Sequence, residues 1–296
     1  MSTATVEPAE PAAAAAAASS VSVRRFTLWQ RATHALLALS VFGLVLTGMP
    51  LRYPDAFWAQ PLFFFWRSEA GAAAVHKFCA VLFFGSGAMH VVTILGGLVT
   101  RKIKLRHLFG PDSILPNPQD VRNINQHIKY LKGKGARPDY GRFAFWEKFD
   151  YLAEIWGLLV IGLSGLIMWF PARSATYLPG WIVNAALIFH GYEAILAMAF
   201  LFTVHFFNTH LRPEVFPVDP VIFTGDIPLY EVRERYPGWY RRLGASGARL
   251  VSGGEPSPIA YAITAMYLVF GTGIMILVML TAVVEAIRLL VGALAR

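Results

Sequence analysis

Two histidines, His190 and His205, close the stretch "HGYEAILAMAFLFTVH", and almost everything between them is apolar. Two more, His76 and His90, lie in another apolar stretch, and His34 lies near the start of a third. Ionisable side chains are costly in such surroundings, so a function is the first reading of each. Neutral imidazole is also the commonest protein metal ligand. The 14 residues from His76 to His90 rise about 21 Å along an α-helix and return to within roughly 40° of the starting face. The 15 residues from His190 to His205 rise about 22 Å and return to within roughly 60°. One shared metal cannot span such a rise, and a zinc site needs its ligands clustered. Imidazoles at two depths suit a different chemistry: axial ligation of two stacked b-type haems, each held from opposite faces by different helices.

That chemistry needs helices that cross a membrane. The chain has 296 residues, is 56% hydrophobic and has a mean hydropathy of +0.50. Five apolar runs, at about 28–50, 74–99, 151–171, 182–208 and 259–287, are long enough to span as helices. The expected fold is an all-α integral membrane protein: a four-helix haem-binding transmembrane bundle plus a fifth, C-terminal transmembrane helix. Residues 1–23 read as a disordered tail. The first 22 carry no basic start and do not read as a signal peptide. The bundle takes 24–210, with a loop at 100–149 in which "QDVRNINQHIKYL" suits a short surface helix. The polar segment 211–258 reads as a surface stretch with no core of its own, and the fifth helix takes 259–290.

Lysines and arginines orient the spans. Eleven fall in 100–149, six between the fourth and fifth spans, and Arg24, Arg25 and Arg31 precede the first. The opposite loops hold Arg52, Arg67 and Arg173. This predicts a multi-pass protein of a bacterial cytoplasmic (inner) membrane, with a cytoplasmic N-terminus and an extracytoplasmic C-terminus. The net charge of +8 is mostly this asymmetry, not a basic face for nucleic acid. The single cysteine, Cys79, leaves no disulfide framework, iron–sulfur cluster or covalent haem attachment within the chain.

With that topology the second and fourth spans run inward. His76 and His190 then share the outer depth, and His34, His90 and His205 the inner one. The outer haem would use His76 and His190. The inner haem would use His205 with either His34 or His90. His210 lies five residues past His205, so an α-helix would turn it elsewhere. His107 and His127 lie in the basic loop and take no role. Packing or interhelical hydrogen bonds explain any one histidine well, but explain matched depths poorly. A transporter or proton channel with a histidine-lined path is the alternative, and a purely structural anchor is another. The channel predicts more midplane polar groups and broken helices than the sequence shows. Glycines in the helices, among them Gly43, Gly48, Gly162 and Gly165, suit a flat macrocycle and equally suit close helix packing.

Quinone chemistry needs an apolar slot, hydrogen-bond donors and a proton source. Trp146, Glu147, Lys148 and Asp150, in "RFAFWEKFDY", offer these types at the inner end of the third span. An ordinary interfacial anchor has the same composition. Glu193 lies one turn after His190, as a structural hydrogen bond or a proton carrier. Lys77, beside His76, suits a haem propionate or a snorkelling lysine.

These residues carry a family pattern. "LWQRATHALLALSVFGLVLTGMPL", closing on Thr47 and Gly48, resembles the first helix of the membrane cytochrome b subunits of respiratory formate dehydrogenases and nickel–iron hydrogenases. "VHKFCAVLFF" is similar to their second-helix ligand region, and "LIFHGYEAILAMAFLFTVH" to their fourth helix. "WEKFDYLAEIWGLLVIGLSGLIMWFP" resembles the third helix of a diheme subgroup, and the likeness runs over about residues 25–245. It implies two haems b, a quinone (menaquinone or ubiquinone) as substrate, and an extracytoplasmic partner, either a multihaem cytochrome c or an iron–sulfur subunit. Electrons would pass between that partner and the quinone pool. By position it implies His34 and His205 for the inner haem, and His76 and His190 for the outer one. His90, the longer spacing in the fourth helix and the fifth helix depart from the pattern.

Overall fold

The computed structural model describes residues 21–216, 219–246, 250–252 and 258–294. Along the chain come β1 (Val21–Arg24), α1 (Leu28–Arg52), α2 (Ala59–Phe65) and α3 (Glu69–Val99). Then follow α4 (Pro118–Leu131), α5 (Phe145–Trp169), α6 (Pro171–Tyr177) and α7 (Gly180–Phe200). Two π-helical segments, Leu201–His205 and Phe207–Leu211, continue α7. After them come β2 (Asp226–Pro228), α8 (Leu229–Arg235), α9 (Pro237–Ser246), β3 (Leu250–Ser252) and α10 (Pro258–Leu294). The described residues form two compact units.

The helical unit takes 32–102, 150–216, 219 and 262–294 of the described residues. Its helices begin and end for local reasons. Ser68 caps α3 by accepting from the Gly71 N–H at 2.9 Å, and Glu69 adds negative charge to the first turn. Among the described residues, four helices are long and apolar enough to cross a membrane: α1, α3, α5, and α7 with its π continuation. Leu39, Phe78, Leu163 and Phe189 are each more than half exposed, as lipid-facing residues should be. Inside, Met49, Trp58, Phe63, Met198, Phe202 and Phe206 form one apolar cluster. The fifth long helix, α10, is tied to it. The Trp58 indole donates to Thr281 Oγ1 at 2.7 Å, and Gly271 lets α10 approach Phe202 and Phe206.

The second unit takes 21–31, 103–149, 220–246, 250–252 and 258–261 of the described residues. Its antiparallel sheet has the order β2-β1-β3, with Val23 opposite Ile227 and Leu250. Val23, Tyr140, Ile227, Val232, Tyr236 and Trp239 are buried together. Two expectations are corrected here. Val21–Val23, expected to belong to a disordered tail, form part of β1, which has strand partners on both sides; residues 1–20 lie outside the described residues. The segment 211–258, expected to lack a core, supplies much of one from residue 220 onward. Three stretches distant in sequence build that core, so none of them signals it alone.

Arg25 is buried in this unit, 3% exposed, and both of its terminal nitrogens are engaged. It donates to Glu147 Oε1 at 2.9 Å, to the Arg142 carbonyl at 2.8 Å and to Tyr236 Oη at 3.0 Å. Burial, then the Arg25 charge, lower the Arg142 guanidinium to about 10, with Asp112 opposing. Gly225 turns the chain into β2 with φ +86, and a Cβ there would lie 2.6 Å from the Phe26 carbonyl.

Candidate functional site

The outer histidines meet. His76 on α3 and His190 on α7 have ring centroids 6.2 Å apart at an interplanar angle of 73°. Their surroundings define which nitrogen each presents. His190 Nδ1 lies 3.0 Å from the Ile161 carbonyl, which can only accept, so Nδ1 carries the proton and Nε2 is bare. His76 Nδ1 lies 3.0 Å from Thr47 Oγ1, and that hydroxyl gives its own proton to the Gly43 carbonyl at 2.6 Å. Nδ1 is again the donor and Nε2 is again bare, tautomers assigned from these partners. A ligating histidine is oriented in this way, with the second nitrogen donating to a carbonyl or other acceptor.

The two hairpins repeat one device. In "LVLTG" (44–48) and "IGLSG" (161–165), a hydroxyl residue precedes a glycine. Ser164 Oγ lies 3.3 Å from His190 Nδ1, as Thr47 does from His76 at 3.0 Å. A Cβ on Gly48 would come within 2.9 Å of His76 Cε1, and one on Gly165 within 3.1 Å of His190 Cε1. These glycines let each imidazole lie against the neighbouring helix. The glycines stood out in the sequence. Thr47 stood out beside Gly48 as part of the family pattern; Ser164 did not, although a small polar residue before glycine was its visible signal.

The spacing of the two rings fits a pair that would hold one metal ion between them. A ligating imidazole nitrogen sits about 2.0 Å from its metal, with the ring centre roughly 1.1 Å behind it, so two rings on opposite sides of one ion have centroids about 6 Å apart. His76 and His190 would together hold a haem iron, which would supply a one-electron couple there.

At the other level, His34 on α1 is within electrostatic reach of both His205 and His210. His205 Nδ1 lies 3.3 Å from Asp150 Oδ2, so Nε2 takes no part in that contact. Asp150 Oδ1 also accepts from Asn208 Nδ2 at 3.4 Å. The π segments correct the expectation for His210. Hydrogen bonds from i to i+5 bring residues five apart onto one face, so His210 lies on the His205 side. Its Nδ1 is buried without a hydrogen-bond partner among the described residues. The π turn also absorbs the long His190–His205 spacing. At roughly 4.4 residues per turn it removes most of the 60° offset that an unbroken α-helix would leave. His90 has its Nε2 2.8 Å from Tyr151 Oη.

The four quinone candidates all lie on the first turns of α5 and have different partners. Asp150 belongs to the helical unit, beside His205. The other three belong to the sheet-bearing unit. There Glu147 accepts from Arg25 and from Tyr236 Oη, and Lys148 is buried against Asp120 at 3.0 Å. Trp146 packs against Tyr140 and His127, with centroids 5.1 and 5.5 Å away. Lys77 lies over the Trp169 ring at 5.8 Å. Glu193 is half-buried one turn past His190.

Comparison with known proteins agrees with this geometry. The sequence model of the prokaryotic cytochrome b561 family matches residues 25–212. The chain is also similar to the formate dehydrogenase cytochrome b556 subunit of Haemophilus influenzae, at 23% identity over 212 residues, covering 71% of this chain and 79% of that subunit. The matched span takes in both hairpins and all five histidines of the two levels, and the chain belongs to the prokaryotic cytochrome b561 family: it is a transmembrane cytochrome b, an electron-transfer subunit carrying b-type haem.

Proposed function

We propose that this subunit holds two haems b and exchanges electrons between an extracytoplasmic partner subunit and the membrane quinone pool. The observation that carries the reading is the close His76–His190 pair, with both Nδ1 atoms engaged and both Nε2 atoms bare. His34 and His205 form the second pair. Their electrostatic proximity supports this, as does the engagement of His90 Nε2 by Tyr151. When bound, haem b supplies a reversible one-electron couple.

The chain's own residues orient the ligands. Thr47, Ser164 and the Ile161 carbonyl hold the outer imidazoles, and Asp150 holds His205. Asp150 is the quinone candidate that touches His205, so we assign the quinone-reactive end to its side. The lysine and arginine asymmetry supports a cytoplasmic N-terminus and puts the His76–His190 level near the outer surface. The partner there is a multihaem cytochrome c or an iron–sulfur subunit of a respiratory oxidoreductase. The formate dehydrogenase relative supports assembly into such a complex.

The test is a haem count with a reduced-minus-oxidised spectrum on the purified protein. Two b-type haems per chain are expected, with one lost in His76→Ala and in His190→Ala. A single haem in the native chain, or both retained in those variants, would reject the assignment.

A further inference from the structure

Helix α4 is inside out for a helix facing water. Its polar edge is buried. Asp120 and Asn123 are 8% and 3% exposed. Asp120 accepts from Lys148 Nζ at 3.0 Å and from the Asn117 N–H at 2.7 Å. Asn123 accepts from Gln119 at 3.0 Å, and His127 Nδ1 meets Tyr140 Oη at 2.8 Å. The apolar edge faces outward: Val121, Ile124, Ile128 and Leu131 are 63%, 37%, 45% and 71% exposed. Their spacing makes one stripe about 80° wide. Along one border stand Arg122, Lys129 and Lys132, all exposed.

An outward apolar stripe bordered by cations is the pattern of a helix lying in a membrane interface. We propose that α4 is a membrane-surface element, with its stripe in the interface of a bilayer rich in anionic lipid. Charge complementarity selects this occupant, since the three basic side chains would meet acidic headgroups while the stripe sinks between them. The polar contacts on the buried edge fix the helix's rotation, so the stripe is presented whether or not lipid is there.

The test uses the full chain in nanodiscs of phosphatidylglycerol or phosphatidylcholine. A fluorescent probe is attached at Ile124→Cys, or on the other side of the helix at Gln126→Cys; the native Cys79 is buried. Nitroxide-bearing lipid should quench the Ile124→Cys probe at least about threefold more than the Gln126→Cys probe in phosphatidylglycerol. That difference should shrink in phosphatidylcholine, and in phosphatidylglycerol when Arg122, Lys129 and Lys132 are changed to Gln. Equal access of aqueous iodide to both probes, with no lipid quenching at either, would overturn the proposal and leave the stripe to a protein partner. Lipid quenching at Ile124→Cys that is the same in both bilayers would overturn the anionic preference. The haem content of the same samples reports separately on the reading above.

Discussion

Ser164 stands to His190 as Thr47 stands to His76. Each hydroxyl lies against the imidazole's Nδ1, at 3.3 and 3.0 Å, and each is followed by the glycine on which that imidazole rests. The environments differ in one respect. His190 also has the Ile161 carbonyl at 3.0 Å, so it keeps an acceptor if Ser164 is lost. Thr47→Val should therefore act more strongly than Ser164→Ala. An acceptor on Nδ1–H makes the imidazole a more basic ligand, which favours the oxidised iron. Losing one such hydrogen bond is worth about 1 kcal/mol, or about 40 mV for a one-electron couple. A redox titration should show the outer midpoint potential rising by about that much in Thr47→Val, and by less in Ser164→Ala, with haem content unchanged.

The glycines test the same device by steric means. An alanine Cβ at position 48 would press on His76 Cε1 at 2.9 Å, and one at position 165 on His190 Cε1 at 3.1 Å. A well-packed interior cannot absorb both easily. Gly48→Val and Gly165→Val should each lower haem per chain by about half, through the outer haem alone. The alanine variants should follow in the same direction with a smaller loss. Pyridine haemochrome measurements on purified protein check this.

At the inner level the two alternatives for the partner of His205 are separable. His34→Ala should remove the inner haem and leave the outer spectrum in place. His90→Ala should keep both haems and lose only the Tyr151 contact, a cost of about 1 kcal/mol in thermal stability. Retention of the inner haem in His34→Ala, with its loss in His90→Ala, would reverse the assignment.

In the sheet-bearing unit, Glu147 compensates Arg25, whose side chain is only 2% exposed. Breaking a buried pair leaves an uncompensated charge and costs about 3 kcal/mol or more. Glu147→Ala should therefore make that unit sensitive to protease while haem content stays near native. A native proteolysis pattern combined with a selective loss of quinone reduction would instead return Glu147 to the quinone site.

The sequence alone determined the membrane class, the long apolar spans and the separation of the histidines along each of them. Span length and helical rise are local properties, so they can be counted along the chain. The helix bounds shift by a few residues, as for α3, which begins at Glu69 where the apolar run begins near 74. Only the tertiary structure decided how the imidazoles are held. Thr47 meets His76 across 29 positions, and Ser164 meets His190 across 26, a pairing that no spacing rule announces. It also decided the side on which His210 lies. Apolar periodicity does not distinguish an α turn from a π turn, and a shift in hydrogen-bond register moved His210 onto the face of His205. The second core was hidden for the same kind of reason. Val23 pairs with Ile227 from the far side of four spanning helices in sequence, and only folding makes neighbours of segments individually too short and polar to signal a core.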